Sequence, residues 1–458
     1  MAGHLTTGFV AEAMRLRGYE VFEGPAREIQ GGAADSRLVR EHDLFTAFHG
    51  ENVDGNRFVA DALRAGAVAA ICEQKPDGEW SGKTIVVAPD ATRAVAELAQ
   101  AWRRSVAPRV VGITGTVGKT TAKDLTAAAV AARFRTHKSA GNFNSREGLP
   151  LGLMSLQREH EVSVLELAMD SVGEILYLCE VAEPEIGVVL NVGLTHVEKL
   201  GSVEAIQREK LSLARYLGRE GTAIINLDDP RIAPVEVELE ARVISFGANE
   251  AATLRRGAIT SRGLEGTSFE VTYEGVPAQV HSPIPGEHTA PAALAAVATC
   301  LALGMRLEEA AAAVSGADVG GRARMFATDR GATIIDDRYN SSPASLAGAL
   351  DMLSRLPGRR IALLGRMAEL GAFEESEHRQ AGAIAAASCD LLVCVGPACA
   401  AMADAATAAG MNEVHWFGTK DEAAAFVRDG LRRGDYVLVK ASRGEAFETI
   451  LPMLEGAE

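Results

Sequence analysis

Apolar runs along the chain change their spacing twice, and the changes divide the sequence into three segments. In the first segment, residues 1 to about 107, short β-like runs lie between polar turns. They are followed by an Ala-rich helix at 91–104 and a plausible linker at 105–109. The β-like runs are 43–48, 67–73 and 84–88. This segment therefore predicts a small α/β domain.

From residue 108 onward, apolar strands alternate with helical stretches. The strands are expected at 109–114, 162–168, 186–192 and 221–227. Such an alternation predicts a mainly parallel sheet that is covered by helices on both faces. We expect this central domain to span residues 108–320.

A new register starts near Gly320 and Gly321, where a second set of apolar runs begins, each followed by a helical stretch. The runs are 332–337, 360–365, 390–396, 413–417 and 435–442. They predict a smaller, doubly wound domain with Rossmann-like connectivity over residues 321–458. The expected fold class is thus α/β with three domains.

Composition and charge narrow the class of protein. The 458 residues carry a formal net charge of −15, which argues against non-specific binding to nucleic acid or an anionic membrane surface. No apolar run approaches the roughly 20 residues that span a bilayer, and the first residues do not resemble a signal peptide. Six cysteines without metal-binding spacing predict buried, reduced thiols in a cytoplasmic protein: Cys72, Cys179, Cys300, Cys389, Cys394 and Cys399.

The stretch VVGITGTVGKTTAKDL at 110–125 predicts a phosphate-binding loop between a strand and a helix. Gly115 and Gly118 let the backbone approach phosphate oxygens, Lys119 can reach the β- and γ-phosphates, and the Thr120 hydroxyl can bind Mg²⁺. Ile113 stands where the strict Walker spacing has glycine. The alternative is an ordinary strand–helix turn.

Two residues downstream are candidate metal ligands. Glu166 lies inside an apolar strand, where a carboxylate is costly unless it is paired or bound to a cation. His196 follows the next apolar strand, at the sheet edge where α/β proteins bind ligands. Either residue alone could be structural, but together, after a phosphate loop, they favour a metal site.

Lys210 interrupts an apolar stripe on a predicted helix. Val203, Ile206, Leu213 and Leu217 recur at helical spacing, and Lys210 fills the missing position. The ordinary interpretation is a lysine that snorkels off the helix face. The sharper interpretation is a lysine that points inward to a site.

Several segments together resemble the Mur ligase family, in order and through nearly the whole chain. They are GTVGKTT, GNFNSREGLPLGL, LELAMD, NVGLTHVEKLGS with REK, and GRARM with IIDDRYNSSPAS. The N-terminal stretch 34–58 is similar to the family's uridine-nucleotide-binding domain, and LVKASRG at 438–444 to a C-terminal signature. DDRYNSSP favours the branch that joins D-alanyl-D-alanine to UDP-N-acetylmuramoyl-tripeptide.

The resemblance implies a reaction in which ATP converts a carboxylate to an acyl phosphate, which the incoming amine then attacks. It implies two Mg²⁺ ions, one held by Thr120 and Glu166, the other by His196 and an N-carboxylated (carbamylated) Lys210. Lys119 and a C-terminal arginine, Arg322, would act on the phosphates. Further nucleotide contacts are implied for Gly115, Thr116, Gly118, Thr121, Asn226 and His288. Substrate contacts are implied for Ser36, Arg37, Asn142, Asn144, Asp337, Asn340, Lys440, Ser442 and Arg443.

The sequence also departs from the family pattern. Thr289 and Ala292 replace two asparagines near the adenine, Arg366 stands where an acid is expected, and Ala441 and Ser145 replace a glycine and an asparagine. Two alternatives therefore stay open: a ligase of this fold acting on a different carboxylate and amine, or a regulatory protein that binds nucleotide without turnover. For the ligase implied by the resemblance, we expect a monomer with small-molecule substrates.

Overall fold

The computed structural model describes residues 3–50, 53–319 and 324–456. Gly320, Gly321 and Arg322 lie outside the described residues, and so does the predicted boundary between the second and third domains. Within the described residues, no helix is long and apolar enough to cross a membrane.

The first domain contains three helices and seven short strands. The helices are α1 (Thr7–Arg15), α2 (Val59–Ala65) and α3 (Ala91–Val106). The strands are β1 (Leu5–Thr6), β2 (Glu20–Phe22), β3 (Glu28–Ile29), β4 (Gly31–Ala33), β5 (Asp43–Thr46), β6 (Ala69–Cys72) and β7 (Thr84–Val87). Five strands form a sheet in the order β2-β7-β6-β5-β4, and β1 pairs with β3. The α/β character predicted for this segment is confirmed.

Helix α3 is longer than its sequence pattern indicated. It runs through Val106 and ends at Ala107, whose φ of 55° lies in the left-handed region, next to Pro108. The first two residues of the predicted linker, Ser105 and Val106, are therefore helical. The helix packs against the second domain, where Trp102 donates a 2.9 Å hydrogen bond to the Leu156 carbonyl.

The second domain is built on a ten-stranded sheet. Its strands are β8 (Arg109–Thr114), β9 (Thr136–Lys138), β10 (Val162–Glu166), β11 (Ile186–Val189), β12 (Thr222–Asn226), β13 (Arg242–Gly247), β14 (Leu254–Arg256), β15 (Thr260–Ser261), β16 (Thr267–Tyr273) and β17 (Val276–Ser282). Its helices are α4 (Lys119–Val130), α5 (Gly148–Leu153), α6 (Glu174–Ala182), α7 (Val197–Leu200), α8 (Val203–Tyr216), α9 (Ala290–Ala302) and α10 (Leu307–Ser315).

Seven of these strands are parallel, in the order β9-β10-β8-β11-β12-β13-β14, which confirms the mainly parallel sheet. The sheet continues into β16, which runs antiparallel to β14, β15 and β17. The sequence pattern did not indicate this antiparallel extension. It places the β16–β17 hairpin at the end of the sheet away from the phosphate loop.

The third domain is a six-stranded sheet with helices on both faces. Its strands are β18 (Arg324–Ala327), β19 (Thr333–Asp336), β20 (Arg360–Leu364), β21 (Leu391–Val395), β22 (Val414–Phe417) and β23 (Tyr436–Lys440). Its helices are α11 (Pro343–Ser354), α12 (Glu374–Ser388), α13 (Ala400–Ala408), α14 (Lys420–Gly430) and α15 (Leu451–Glu455). The order is β18-β19-β23-β20-β21-β22, so the last strand is inserted between β19 and β20. Among the described strands of this sheet, β18 alone runs antiparallel to its neighbour.

All six cysteines are buried and none forms a disulfide bond, as predicted. Burial raises the pKa of five of the thiols to about 12. These cysteines pack in the domain cores as small apolar side chains.

Candidate nucleotide and metal site

The phosphate loop connects β8 to α4, as its sequence predicted. Gly118 precedes the first helical residue, Lys119, with a φ of 79°, a conformation that favours glycine. The side-chain oxygen of Asn191, which follows β11, accepts hydrogen bonds from the amides of Thr116 (3.0 Å) and Val117 (2.8 Å). Its amide nitrogen donates to the Val117 carbonyl at 3.0 Å. Asn191 therefore fixes the shape of the loop.

Neighbouring strands bring the candidate ligands to the edge of the sheet that carries this loop. Strand β8 lies between β10 and β11, and Glu166 is in register with Ile113. The segment after β11 contacts the loop directly, because the Gly193 amide donates to the Thr116 hydroxyl at 2.8 Å. Since the strands are parallel, their carboxyl ends meet at one edge, where α/β folds bind ligands.

Glu166, the last residue of β10, is 2 % exposed. Its Oε1 accepts a 2.8 Å hydrogen bond from the Asn144 side chain. Its Oε2 is buried and has no hydrogen-bond partner among the described residues. A buried carboxylate oxygen without a donor is costly, and a bound cation would satisfy it.

Lys210 is also 2 % exposed, so the snorkelling interpretation is wrong. Its Nζ donates a 2.8 Å hydrogen bond to the carbonyl of Gly115 in the phosphate loop. Burial, and then the positive charge of Lys119, hold the pKa of the Lys210 amine well below its usual value. The side chain therefore points to the site as an amine that loses its proton easily.

His196 precedes α7 with a φ of 57° and contacts the third domain. Its Nδ1 lies 2.6 Å from Oε2 of Glu369, in the loop after β20. The two atoms are in direct polar contact, although the geometry at Nδ1 does not meet that of a regular hydrogen bond. The proximity of His196 lowers the pKa of the Glu369 carboxyl.

The metal ligands implied by the resemblance carry oxygen donors that suit Mg²⁺, together with one imidazole nitrogen, and they come from elements at the edge of the sheet that carries the phosphate loop. Thr120 lies in the first turn of α4 and is 8 % exposed, close to the loop that Lys210 contacts. No group of three or more His, Cys, Asp or Glu in the described ranges is arranged to hold a metal. The predicted ligands are a threonine hydroxyl, Glu166, His196 and a modified lysine. Only two of these are His, Cys, Asp or Glu, so the predicted site does not require a group of three of those residue types.

A second cluster of predicted residues lies in the third domain. The Lys440 side chain is 2 % exposed, and its Nζ lies 2.5 Å from Oδ2 of Asp337 and 3.0 Å from the Asn340 carbonyl. Ser442 donates to the Ser341 carbonyl at 3.2 Å. The guanidinium of Arg443 lies over the ring of Tyr339, 5.8 Å from its centre. These residues come together at the carboxyl ends of β19 and β23.

Of the other predicted residues, Ser36 and Arg37 lie apart from these two clusters, whereas Asn142 and Thr121 adjoin residues beside the phosphate loop. Ser36 and Arg37 are in the first domain after β4, where Arg37 pairs with Asp35 at 2.6 Å and lowers the pKa of that carboxyl to about 2. Asn142 is exposed in the loop before α5, and Thr121 is in the first turn of α4.

Asn226 and His288 are predicted nucleotide contacts, and in the structure their side chains contact other parts of the protein. Asn226 ends β12 and donates a 2.9 Å hydrogen bond to the Leu190 carbonyl. The His288 ring lies against α11 of the third domain, where a Cβ built on Gly348 would be 2.4 Å from Cγ of the histidine. His288 is therefore part of the contact between the second and third domains.

The departures from the family pattern are accommodated locally. The Thr289 hydroxyl donates to the Gly286 carbonyl at 2.7 Å, and Ala292 is buried in α9. The guanidinium of Arg366 binds Glu374, with its Nε 2.9 Å from Oε2. Ala441 is fully buried behind β23. The Ser145 hydroxyl accepts from the Gly148 amide at 3.2 Å, in the turn that leads into α5.

Two residues of the site were missed in the sequence. Asn191 lies within the predicted strand 186–192 and has no assigned role there, although an asparagine at the end of an apolar strand is a detectable signal. Glu369 gave no signal of its own, because its partner His196 belongs to another domain.

The fold and the site define a three-domain α/β protein with a phosphate loop, and comparisons with known proteins agree. Three domain families match the chain: the Mur ligase family catalytic domain (28–108), the Mur ligase middle domain (113–300) and the Mur ligase glutamate ligase domain (321–443). The UDP-N-acetylmuramoyl-tripeptide–D-alanyl-D-alanine ligase of Bacillus subtilis is 33 % identical over 428 residues, covering 92 % of each chain. The chain belongs to the Mur ligase family.

Two solved structures extend the likeness to the whole fold. MurF from Acinetobacter baumannii superposes with a TM-score of 0.85, at 28 % identity over 99 % of each chain. MurF from Thermotoga maritima, in complex with ADP, has a TM-score of 0.79 at 27 % identity, covering 93 % of this chain and 97 % of that one.

Proposed function

We propose that the chain is an ATP-dependent ligase that joins D-alanyl-D-alanine to UDP-N-acetylmuramoyl-tripeptide, a step in making peptidoglycan precursors. The observation that carries the proposal is likeness over nearly the full length to ligases named for this reaction. The phosphate loop, with a buried lysine and a partly unsatisfied buried carboxylate beside it, supports an ATP-driven step.

ATP binds at the phosphate loop in this proposal. Amides of the loop and the start of α4 surround the phosphates, and the Lys119 ammonium neutralises charge on the β- and γ-phosphates. Gly115, Thr116, Gly118 and Thr121 contribute backbone or hydroxyl groups. Asn226 and His288 are assigned to the nucleotide, and Arg322, which lies outside the described residues, is assigned to its phosphates.

Thr120 and Glu166 would hold one Mg²⁺, and His196 with a carbamate on Lys210 would hold a second. The unpartnered Oε2 of Glu166 supports the first assignment. The lowered pKa of Lys210 supports the second, because only a neutral amine reacts with CO₂ to form a carbamate. When bound, the two ions supply charge neutralisation on the phosphates and the developing oxyanion.

The carboxylate of the tripeptide attacks the γ-phosphorus, ADP leaves, and an acyl phosphate forms. The amine of the dipeptide then attacks the acyl carbon, phosphate leaves, and the amine nitrogen loses a proton. Asn142 and Asn144 border the acyl group in this proposal. The third-domain cluster receives the dipeptide, with Lys440 held by Asp337 and with Asn340, Ser442 and Arg443 beside it.

The remaining assignments complete the proposal. Ser36 and Arg37 bind the uridine end of the precursor in the domain 1–107, ATP binds in 108–320, and the amine binds in 321–458. The chain acts as a monomer, since one chain supplies every assigned residue. Its six buried, unbonded thiols fit a reducing cytoplasm.

A direct assay tests this function. The purified chain is mixed with ATP, Mg²⁺, D-alanyl-D-alanine and a UDP-N-acetylmuramoyl-tripeptide carrying either lysine or diaminopimelate. Phosphate release should require both substrates, and mass spectrometry should show the pentapeptide product. Equal phosphate release with neither substrate present would replace the ligase assignment with a simple nucleotidase.

A second candidate is a ligase of the same fold that takes a different amine. Arg366 favours it, because the carbonyl of this residue accepts from the Ser442 amide and its guanidinium stands where the family has an acid. A panel of D- and L-amino acids and dipeptides in the same assay separates the two candidates by kcat/KM.

A further inference from the structure

The third domain docks on the second at the segment that carries His196. Leu194 packs against the apolar core beneath α11 and α12 of the third domain. On the other side of His196, the backbone of Glu198 lies beside Gly371. The loop 367–373 thus covers the segment 194–198, and Glu369 is the side chain that reaches His196.

Both residues of this contact have strained backbones. His196 has a φ of 57° and Glu369 a φ of 64°, in the left-handed region that non-glycine residues rarely adopt. Such a conformation is unfavourable for a residue that has a side chain and persists only where its surroundings impose it. The two strained residues lie on opposite sides of a domain contact and bring Nδ1 and Oε2 to 2.6 Å.

The neighbouring charges leave this pairing intact. Lys199, three residues after His196, forms its own ion pair with Asp170. The Glu369 carboxylate is the acidic group that faces the imidazole, at Nδ1.

We propose that Glu369 is a positioning residue that orients the His196 ring through Nδ1, so that Nε2 is the nitrogen presented to a metal ion. This inference rests on the proposed function. A carboxylate that holds the second nitrogen of a ligating histidine fixes the ring and strengthens it as a ligand. Because Glu369 belongs to the third domain, the metal ligand is oriented only while that domain is docked.

Metal binding tests the inference without any turnover. Mn²⁺ replaces Mg²⁺, adenylyl imidodiphosphate replaces ATP, and electron paramagnetic resonance gives the Mn²⁺ affinities of the full chain. Glu369→Ala should weaken the His196-dependent site by about 10-fold or more. Glu369→Gln, which keeps an oxygen acceptor, should retain more affinity than Glu369→Ala. Glu375→Ala is the matched control, since Glu375 pairs with Arg379 on α12 and does not contact His196.

A double-mutant cycle shows whether Glu369 acts through His196. His196→Ala and the double variant should have the same Mn²⁺ affinity, because Glu369 has nothing to orient once the ring is gone. Additive losses, or an unchanged affinity in Glu369→Ala, would overturn the inference.

Nitrogen NMR of ¹⁵N-histidine-labelled protein supplies a metal-free readout. The His196 ring signals, assigned with His196→Ala, should move in Glu369→Ala and stay in place in Glu375→Ala. Unmoved signals would also overturn the inference. If the wild-type chain ligates but Glu369 has no effect on His196, the inference alone fails. If Glu369 does affect His196 but the wild-type chain never ligates, the proposed function fails.

Discussion

Lys210 and Lys440 are equally buried, at 2 % exposure, but their partners differ. Lys440 lies against a carboxylate, with Nζ 2.5 Å from Asp337. Lys210 donates to the carbonyl of Gly115, and the nearby charge of Lys119 is repulsive. A buried ammonium beside a carboxylate is stabilised as a charge, whereas one beside a carbonyl and another lysine is driven toward the neutral amine.

The difference separates two uses of one residue type. Lys440 joins the carboxyl ends of β19 and β23 through its contacts with Asp337 and Asn340. Lys210 is a reactive amine at the phosphate loop, which is the form that carbamylation needs. Burial alone would not have told the two lysines apart.

The largest expected effect comes from removing the reactive amine. Lys210→Met should lower the rate of ligation by roughly 10²–10³-fold, the scale of losing one preorganised stabiliser of transition-state charge. The melting temperature should stay the same or rise, since methionine fills the space without burying a polar group. Lys138→Met, an exposed lysine in the same domain, is the control in the ligation assay. Wild-type rates in Lys210→Met would show that the amine has no part in the reaction.

Removing the carboxylate from the other lysine should act on stability instead. Asp337→Ala leaves the Lys440 ammonium buried without its counter-charge, which should reduce the free energy of unfolding by about 3 kcal/mol. Adding Lys440→Met to this variant should restore most of the lost free energy of unfolding. Urea denaturation of the full chain measures both changes, and a single variant as stable as wild type would mean that Lys440 is solvated in solution.

A third buried base extends the comparison to pH. His137 is bonded to the hydroxyls of Ser163 (2.9 Å) and Ser155 (3.1 Å), and burial lowers its pKa to about 4. Its folded pKa is below the unfolded value, so stability is complete above about pH 6.5 and falls until the pH reaches about 4. Between pH 7 and 5 this group should remove about 2 kcal/mol from the free energy of unfolding. His137→Gln should show a shallower decline in urea midpoints over that range, and an identical slope would contradict the assignment.

The smallest effect sharpens the contrast between the two lysines. Stripping CO₂ from mildly acidic buffer should reduce wild-type ligation several-fold, and bicarbonate should restore it. With ¹³C-bicarbonate, a carbamate signal should be present in wild type and in Lys440→Met but missing in Lys210→Met. A signal lost in Lys440→Met would reverse the roles assigned to the two residues.

Much of the fold could be predicted because its signals are local. Strands β8, β10, β11 and β12 are continuous apolar runs, and the glycines and lysine of the phosphate loop follow one of them directly. The antiparallel strands β15 to β17 gave no such signal, since the alternating exposure along β16 depends on which face of the sheet is covered. Helix α3 was underestimated because Ser105 and Val106 are compatible with either helix or linker.

The candidate site divides in the same way. Glu166 and Lys210 were detectable because a charged residue in an apolar strand or stripe conflicts with its neighbours in sequence. Which partner each side chain takes could not be predicted: Lys210 bonds a carbonyl 95 residues away, and Lys440 pairs with a carboxylate 103 residues away.

By itself, then, the sequence determined the strands, the phosphate loop and the residues that had to be functional or paired. Only the tertiary structure decided that Asn191 shapes the loop, that Lys440 is paired with Asp337 while Lys210 is not, and that Glu369 reaches His196 across a domain contact. The physical reason is range. Secondary structure and burial follow from neighbours along the chain, whereas the charge state and orientation of a buried side chain are set by groups that only packing brings within a few ångströms.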